Sequence, residues 1–140
     1  KNSALMLVGE GKDTELIKAR VIAAGLSGKV IFTGAREDTD KLYSAFDCFL
    51  LPSRSEELPL TAIEAQCAGL YCLFSEKIAP EAEVTDSAQR LSLKSSAEDW
   101  AFAALSLARL RNRSATEQIT AAGADITTAA KELESFYLSL

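Results

Sequence analysis

The feature that most constrains the fold is a regular alternation of short apolar runs with helical segments, separated by glycines. Apolar runs of strand composition occupy residues 4–9, 29–34, 47–52, 70–75 and 89–93. Helices are predicted between them at 13–25, 38–46 and 59–68. Strands that alternate with helices over short links form a parallel sheet. The sequence therefore predicts an α/β fold, with a Rossmann-like parallel sheet and helices on both of its faces.

The remainder of the chain is predicted to be helical, with segments at 95–111, 114–123 and 125–140. Ser95 and Glu98 have the spacing of a capping box, Ser114 opens the next segment in the same way, and Asp125 is the expected cap of the last helix. The apolar side of that last helix carries Ile126, Ala129, Ala130, Leu133, Phe136 and Tyr137. An exposed apolar face of this kind favours self-association.

Composition excludes several classes of function. The chain has 140 residues, enough for a single domain, and a net charge of −5 without a basic cluster, which argues against nucleic-acid binding. It contains no histidine, so a Ser-His-Asp or Cys-His catalytic group is excluded within it. No apolar run is long enough to span a bilayer. Because the chain begins at Lys1, directly before an apolar strand, we expect it to be one domain of a larger protein.

The three cysteines are Cys48, Cys67 and Cys72, an odd number without the spacing of metal ligands. With no histidine available, a zinc site is not expected. Each cysteine lies in an apolar run, which predicts buried, reduced thiols in a cytoplasmic protein.

Polar residues collect in the loops that follow the strands. In an open parallel sheet, ligands bind in the crevice beyond the carboxyl ends of the strands. Four loops are predicted to line that edge, at 9–12, 34–38, 52–61 and 75–83. We therefore expect a binding site there.

The first of these loops contains "GEGKDT", which follows a strand and opens a helix. Gly9 and Gly11 match the first two glycines of the dinucleotide fingerprint, but Thr14 stands in place of the third. No acidic residue closes the second strand, which ends in Thr33 and Gly34. A simple turn is the plainer interpretation, and an NAD-binding oxidoreductase domain is kept as an alternative.

The third loop leads into a helix through "EELPLTAIE". Pro59 suits the first helical turn, where its missing N–H costs nothing. The amides of Leu60, Thr61 and Ala62 are then expected to be unpaired. Free amides at a helix N-terminus bind phosphates, assisted by the helix dipole.

Acidic residues lie on both sides of this helix start. Glu56 precedes it and Glu64 lies one turn into it, where its carboxylate can accept hydrogen bonds from the hydroxyls of a ligand. The alternative is that these acids merely interact with the helix dipole, and Glu57 fits that alternative best. From the residues alone, the two interpretations are equally supported.

The stretch "PSRSEELPLTAIEAQCAGLYCLFSE" resembles the donor-site signature of family 4 retaining glycosyltransferases of the GT-B fold, of the capsular and exopolysaccharide type. The segments "LMLVGEG" and "GKVIFTGAREDTDKLYSAFDCFLLPS" are similar to the preceding part of the same domain. The resemblance covers essentially the whole chain. It implies a single donor-binding domain over residues 1–140, the C-terminal half of a GT-B fold followed by C-terminal helices. The N-terminal acceptor domain would lie outside this chain.

The resemblance also implies roles for individual residues. Glu56 would be the catalytic residue, in contact with hydroxyls of the donor sugar, and Glu64 would bind the ribose. The remaining donor-binding residues would be Leu58, Leu60 and Thr61 at the diphosphate, Gly34, Ala35 and Arg36 near the base, and Gly9 and Gly11 close to the donor. Two departures from the family pattern are Glu57-Leu58-Pro59 in place of Gly-Phe-Gly, and Tyr71 in place of a proline.

The function implied is transfer of a sugar from a nucleoside diphosphate sugar, with UDP the expected nucleotide, to a growing glycan or a lipid-linked acceptor. No cofactor and no metal is expected. The parent protein would be cytoplasmic or peripheral at the inner face of the membrane, and the isolated chain inactive. A non-catalytic interaction module that docks through its last helix is the second alternative.

Overall fold

The computed structural model describes residues 3–108 and 110–140. The chain divides into two compact units, Lys1–Thr39 and Asp40–Leu140. Each unit contains its own parallel sheet, with two strands in the first and three in the second. The predicted α/β architecture of parallel strands and helices is thereby confirmed.

The first unit is a strand–helix–strand motif made of β1 (Leu5–Val8), α1 (Thr14–Ala23) and β2 (Val30–Gly34). The two strands pair in parallel, and a shift in register after Leu7 places Val8 opposite Gly34. Gly9 has a φ of +116°, and its N–H donates to the carbonyl of Gly34 at 2.8 Å. That backbone conformation strains residues with a Cβ, so the first glycine of "GEGK" is required by the turn itself.

The second unit contains β3, β4 and β5 and five helices. Its elements are α2 (Thr39–Ala45), β3 (Phe49–Leu51), α3 (Leu60–Cys67), β4 (Cys72–Ser75), β5 (Ala88–Leu91), α4 (Ala97–Leu107), α5 (Ala115–Ala121) and α6 (Ile126–Leu138). The strands lie in the order β3-β4-β5, all parallel, and a 3₁₀ turn at Pro80–Ala82 connects β4 to β5.

The hydrophobic core of the second unit surrounds β4. All four residues of β4 are buried, whereas β3, predicted to be buried on both faces, is only half-buried. The difference follows from position, because β4 has a paired strand on each side and β3 lies at the edge of the three-stranded sheet. The residues packed in this core are Tyr43, Ala62, Ala65, Leu70, Cys72, Phe74, Ile78 and Ala82.

Gly69 ends α3 in a left-handed conformation with a φ of +73°. A Cβ at this position would lie 2.9 Å from the carbonyl oxygen of Asn112. The N–H of Asn112 in turn donates to the carbonyl of Gly69 at 3.0 Å. The glycine is therefore needed both for the turn and for the close approach of the segment that follows α4.

Several sequence predictions need correction. The capping box of α4 is formed by Ser96 and Asp99, one residue later than predicted, because Asp99 reaches back to the Ser96 N–H. Ser114 makes no side-chain cap bond, and its N–H donates to the side chain of Asn112. The helix predicted to continue to 111 ends at Leu107.

The helix predicted over 95–111 would end in Arg109 and Arg111, and Arg109 lies outside the described residues. Arg111 lies beyond the helix, and its guanidinium donates to the carbonyl of Phe46. Cys67 is exposed, although the sequence predicted a buried thiol, because it lies on the outer side of α3. Cys72 is buried as predicted, and Cys48 is partly buried.

The last helix, α6, is the least buried element of the second unit. The carboxylate of Asp125 accepts hydrogen bonds from the N–H groups of Thr127 and Thr128, which confirms it as the N-cap. No residue of α6 is buried, and Phe136 and Tyr137 on its apolar side are 57% and 65% exposed.

Candidate functional site

Glu56, the predicted catalytic residue, lies in an exposed loop that is held at both ends. The hydroxyl of Ser53 donates to the Glu56 carboxylate at 3.2 Å. The backbone of Glu56 forms a parallel bridge with Ile78, and the N–H of Ala79 donates to the Glu56 carbonyl at 3.1 Å. Ser75, at the end of β4, donates its hydroxyl to the Ser53 carbonyl at 2.5 Å. The loop after β3 is therefore fixed to the loop after β4, with the Glu56 carboxylate accessible to solvent.

The start of α3 has the free amides that the sequence predicted, with one correction. Pro59 is the N-cap in an extended conformation, and no side chain caps the helix. The N–H of Ala62 donates to the Pro59 carbonyl at 2.9 Å, so this amide is not available. The amides of Leu58, Leu60 and Thr61 have no acceptor within residues 3–108 and 110–140. These three amides surround an uncapped helix N-terminus.

Glu64 lies one turn further along α3, with its side chain exposed. Its Oε2 accepts a hydrogen bond of 3.0 Å from the hydroxyl of Tyr43. Its Oε1 has no donor in the part of the chain that the structure describes. The predicted hydroxyl-binding carboxylate therefore has one oxygen engaged and one oxygen open.

Tyr43 is the site residue that the sequence analysis did not identify. It is 6% exposed and belongs to the core, with its ring edge-on to Phe46 and Phe49. Burial, together with the hydrogen bond to the Glu64 carboxylate and its charge, raises the pKa of the Tyr43 phenol well above its ordinary value. The only sequence signal was an aromatic residue on the apolar side of a short helix, which is equally typical of a core position.

Gln66 is a fully buried polar residue that fixes α3 in place. Its Nε2 donates to the carbonyls of Ala62 at 2.9 Å and Ala82 at 2.7 Å. Its Oε1 accepts from the N–H of Val84 at 3.1 Å and from the N–H and hydroxyl of Thr85, each at 3.0 Å. Because every polar atom of the amide is satisfied, α3 and the loop between β4 and β5 are held in one arrangement.

Three predicted residues of the first unit, Gly9, Gly11 and Gly34, line a cleft of about 490 Å³. It is lined by Gly9, Glu10, Gly11, Thr14, Glu15, Lys18, Phe32, Thr33 and Gly34. The carboxylate of Glu10 accepts a long hydrogen bond of 3.5 Å from the N–H of Ala35. This amide, predicted to lie near a nucleotide base, is therefore already partnered by Glu10.

Arg36 forms a two-pronged ion pair with Asp38, with distances of 2.8 and 2.7 Å. The guanidinium hydrogen bonds lower the pKa of the Asp38 carboxyl. The carboxylate of Asp38, at the start of the helix predicted over 38–46, is therefore bound by Arg36. The pairing leaves the remaining donors of the guanidinium for a ligand.

Gly9, Gly11, Gly34, Ala35 and Arg36 thus lie close together within the first unit. Glu56, Leu58, Leu60, Thr61 and Glu64 lie close together within the second. The role assigned to each of these residues stays a prediction.

Within residues 3–108 and 110–140, no group of three or more Asp, Glu, Cys or His side chains is placed to hold a metal ion. None of the helices in those ranges has both the length and the apolar character that crossing a membrane requires.

Comparison with known proteins identifies the family. The chain matches the family described as glycosyl transferases group 1 over residues 1–125. It is 34% identical over 98 residues to the glycosyltransferase EpsF of Bacillus subtilis (strain 168), covering 69% of this chain and 26% of EpsF. It is also 33% identical over 75 residues to a UDP-Gal:alpha-D-GlcNAc-diphosphoundecaprenol alpha-1,3-galactosyltransferase of Escherichia coli, covering 53% of this chain and 19% of that enzyme.

A solved structure shows the same fold. HepE of Anabaena, in complex with UDP, matches with a TM-score of 0.76 at 18% identity, covering 99% of this chain and 41% of HepE. The GT-B type of α/β fold expected from the resemblance is confirmed. An NAD-binding oxidoreductase domain finds no support in these comparisons. The family match extends over most of this chain, and the chain therefore belongs to the glycosyl transferases group 1 family.

Proposed function

We propose that the protein containing this chain transfers a sugar from a nucleoside diphosphate sugar to a glycan or lipid-linked acceptor, with retention at the anomeric carbon. This chain would hold the donor. The proposal is carried by the family match together with the start of α3, where free amides lie one turn from the Glu64 carboxylate. UDP is the proposed nucleotide, because the E. coli relative is named for UDP-Gal and the HepE structure contains UDP.

The amides at the start of α3 would bind the diphosphate. The N–H groups of Leu58, Leu60 and Thr61 lack acceptors in the described ranges, and the dipole of α3 adds partial positive charge at the same place. As the bond to the sugar breaks, negative charge develops on the departing nucleoside diphosphate. Donors that are already oriented toward that charge lower the barrier to transfer.

No divalent metal is proposed. The charge of the diphosphate would be balanced by the amides of α3 and by basic residues outside this chain, as the resemblance implies. This chain has a net charge of −5, so it supplies little of the balancing charge itself. Tight donor binding would therefore depend on the remainder of the protein.

The two acids would bind hydroxyl groups at opposite ends of the donor. Glu56 is exposed and would contact the transferred sugar as the catalytic residue. Glu64 would accept hydrogen bonds from the vicinal hydroxyls of the ribose, because a carboxylate is a stronger acceptor for them than a neutral group is. Gly34, Ala35 and Arg36 would contact the base.

The remaining partners belong to the same proposal. An N-terminal domain would bind the acceptor, and the exposed apolar side of α6 would pack against it or against a second copy of the chain. We also propose a cytoplasmic protein that associates peripherally with the inner face of the membrane when its acceptor is lipid-linked. Fractionation of cells that express the whole protein tests this location.

The nucleotide proposal is tested by titrating UDP, GDP and NAD into the isotope-labelled chain while recording amide resonances. We expect UDP to shift the amide signals of Leu60 and Thr61. Glu64→Gln should raise the Kd for UDP about tenfold, since a hydrogen bond to a charged group contributes roughly 1.5–3 kcal/mol. Glu57→Gln is the matched control, because it removes the same charge at a position just before α3, and its Kd should stay within about twofold of wild type.

Binding of NAD without UDP, or equal losses in the two glutamate variants, would contradict the proposal. In the whole protein, Glu56→Gln should lower the rate of sugar transfer by at least about a hundredfold while leaving the Kd for UDP nearly unchanged. A normal transfer rate in that variant would remove Glu56 from the catalytic role.

A non-catalytic interaction module is the second candidate, favoured by the exposed apolar side of α6. This candidate predicts that no nucleotide shifts any amide of α3, and that self-association is lost when Phe136 and Tyr137 are replaced by serine. Analytical ultracentrifugation of the double variant measures the second of these outcomes.

A further inference from the structure

We propose that Tyr43 is a positioning residue for Glu64, which holds one carboxylate oxygen so that the other is presented to the ribose hydroxyls of the nucleotide. This inference rests on the proposed function and assigns a role to a buried residue that lies outside the signature stretch. It concerns orientation rather than chemistry, because Tyr43 itself touches no part of the donor in this account.

The two oxygens of the Glu64 carboxylate differ in their hydrogen bonding. Oε2 accepts from the Tyr43 hydroxyl at 3.0 Å, whereas Oε1 has no donor within the described part of the chain. A glutamate on an exposed helix surface rotates freely about its side-chain bonds, and binding a ligand then costs rotamer entropy. A hydrogen bond that already holds Oε2 removes much of that cost before the nucleotide arrives.

The Tyr43 phenol can hold the Glu64 carboxylate in one orientation because its own ring is buried and tightly packed. Tyr43 is 6% exposed, and its ring meets the rings of Phe46 and Phe49 edge-on at centroid separations of 6.3 and 6.0 Å. The same core includes Ala62 and Ala65, which belong to the helix that carries Glu64. The element that carries the Tyr43 hydroxyl therefore packs against the helix that carries the Glu64 carboxylate.

The phenol also remains a donor under ordinary conditions. Burial and the neighbouring carboxylate both disfavour the phenolate, so the pKa of Tyr43 lies well above its usual value. The hydroxyl keeps its proton at any pH at which the protein would be assayed. The Glu64 carboxylate thus always faces a hydrogen-bond donor on its inner side.

The experiment compares two ligands across two tyrosine variants of the chain. UDP carries the ribose hydroxyls, and 2′,3′-dideoxy-UDP lacks them but retains the base and the diphosphate. Tyr43→Phe should raise the Kd for UDP about tenfold and leave the Kd for the dideoxy compound within about twofold. Tyr71→Phe is the matched control, because Tyr71 is half-buried and its hydroxyl has no partner among the described residues. It should change neither Kd.

A double-mutant cycle provides the second readout. In a Glu64→Gln background, Tyr43→Phe should have little further effect on UDP binding, because the group that it positions has been altered. Equal weakening of both ligands by Tyr43→Phe would show a purely structural role and overturn the inference. Unchanged binding of UDP would overturn it as well.

A third readout uses the wild-type chain and does not depend on the folding of a variant. With tyrosine labelled at Cζ, the Tyr43 resonance should shift when UDP binds and stay in place when the dideoxy compound binds. A shift with both ligands or with neither would contradict the positioning role. If the whole protein binds no nucleotide at all, the proposed function fails. If UDP binds and only the tyrosine results disagree, the inference alone fails.

Discussion

Both compact units contain a strand–loop–helix segment, β1 to α1 in the first and β3 to α3 in the second, and the two helices differ sharply in how many side chains they bury. In the first unit, no side chain of α1 is buried, and Leu16 and Ile22 are 53% and 68% exposed. In the second, α3 buries Ala62, Ala65 and Gln66. Both helices end at a glycine in the left-handed conformation. Similar local sequence therefore produces helices with very different amounts of tertiary support.

The difference lies in the sheets on which the helices can pack. A two-stranded pair such as β1–β2 covers little apolar surface, and units of this kind are marginally stable in isolation. In the second unit β4 has a strand on each side, and all four of its residues are buried. Only that environment excludes water well enough for the hydrogen bonds of a buried amide such as Gln66 to contribute strongly to the free energy of unfolding. The comparison predicts that single substitutions are costly in the second unit and mild in the first.

The largest effect is expected for Gln66→Leu. The change leaves the carbonyl of Ala82 and the N–H of Thr85 buried without these partners, and also removes the acceptor of the partly buried Val84 N–H, which should lower the free energy of unfolding by about 3 kcal/mol. Gln89→Leu on β5 is the matched control, since Gln89 is exposed, and it should cost less than about 0.5 kcal/mol. Urea unfolding followed by circular dichroism measures both values.

The counterpart in the first unit is Thr14→Ala. It removes the hydrogen bond from the Thr14 hydroxyl to the Gly11 carbonyl at 2.7 Å, which is exposed to solvent. The free energy of unfolding should fall by less than about 1 kcal/mol, because water replaces the missing hydrogen-bond partner. If Thr14→Ala and Gln66→Leu lower the free energy of unfolding equally, the expected difference between the two units is wrong.

An intermediate effect is expected where the two helices end. Gly25 after α1 and Gly69 after α3 have φ values of +68° and +73°, so alanine is strained at both positions. A Cβ at Gly25 meets nothing within 4 Å, whereas one at Gly69 lies 2.9 Å from the Asn112 carbonyl oxygen. Gly25→Ala should cost about 1 kcal/mol, and Gly69→Ala roughly 1 kcal/mol more, because the backbone of Asn112 must move. Matching urea midpoints for the two variants would show that the clash is relieved without cost.

The smallest effect concerns the cysteines, which all lie in the second unit. Cys67 is exposed and should react with iodoacetamide in the folded chain, whereas the buried Cys72 should react only after unfolding. Partial burial and the charge of Glu64 raise the pKa of Cys67, which lowers its thiolate fraction at neutral pH. Glu64→Gln should therefore lower that pKa and speed alkylation about twofold. Mass spectrometry of the modified peptides follows each thiol separately, and rapid labelling of Cys72 would show that the core around β4 opens readily.

The sequence by itself determined the order of strands and helices and the points at which helices end. Alternating strand and helix patterns predicted parallel pairing, the glycines at 25 and 69 predicted helix ends, and Asp125 predicted the start of α6. The acidic residues around Pro59 and the expectation of free amides there also followed from local rules. These features depend on residues within a few positions of one another, where backbone preference and hydrogen-bonding capacity decide the outcome.

Only the tertiary structure decided which residues support the site. Tyr43 and Glu64 are separated by 21 positions, and Gln66 and Thr85 by 19. The burial of β4 rather than β3 likewise depends on the order of strands within a sheet. Contacts of this kind arise from the packing of whole elements, and local propensity contains no information about which elements will become neighbours. For this reason the sequence predicted Glu64 as a ligand-binding acid, which stays a prediction, and the fold showed the phenol of Tyr43 that donates to it.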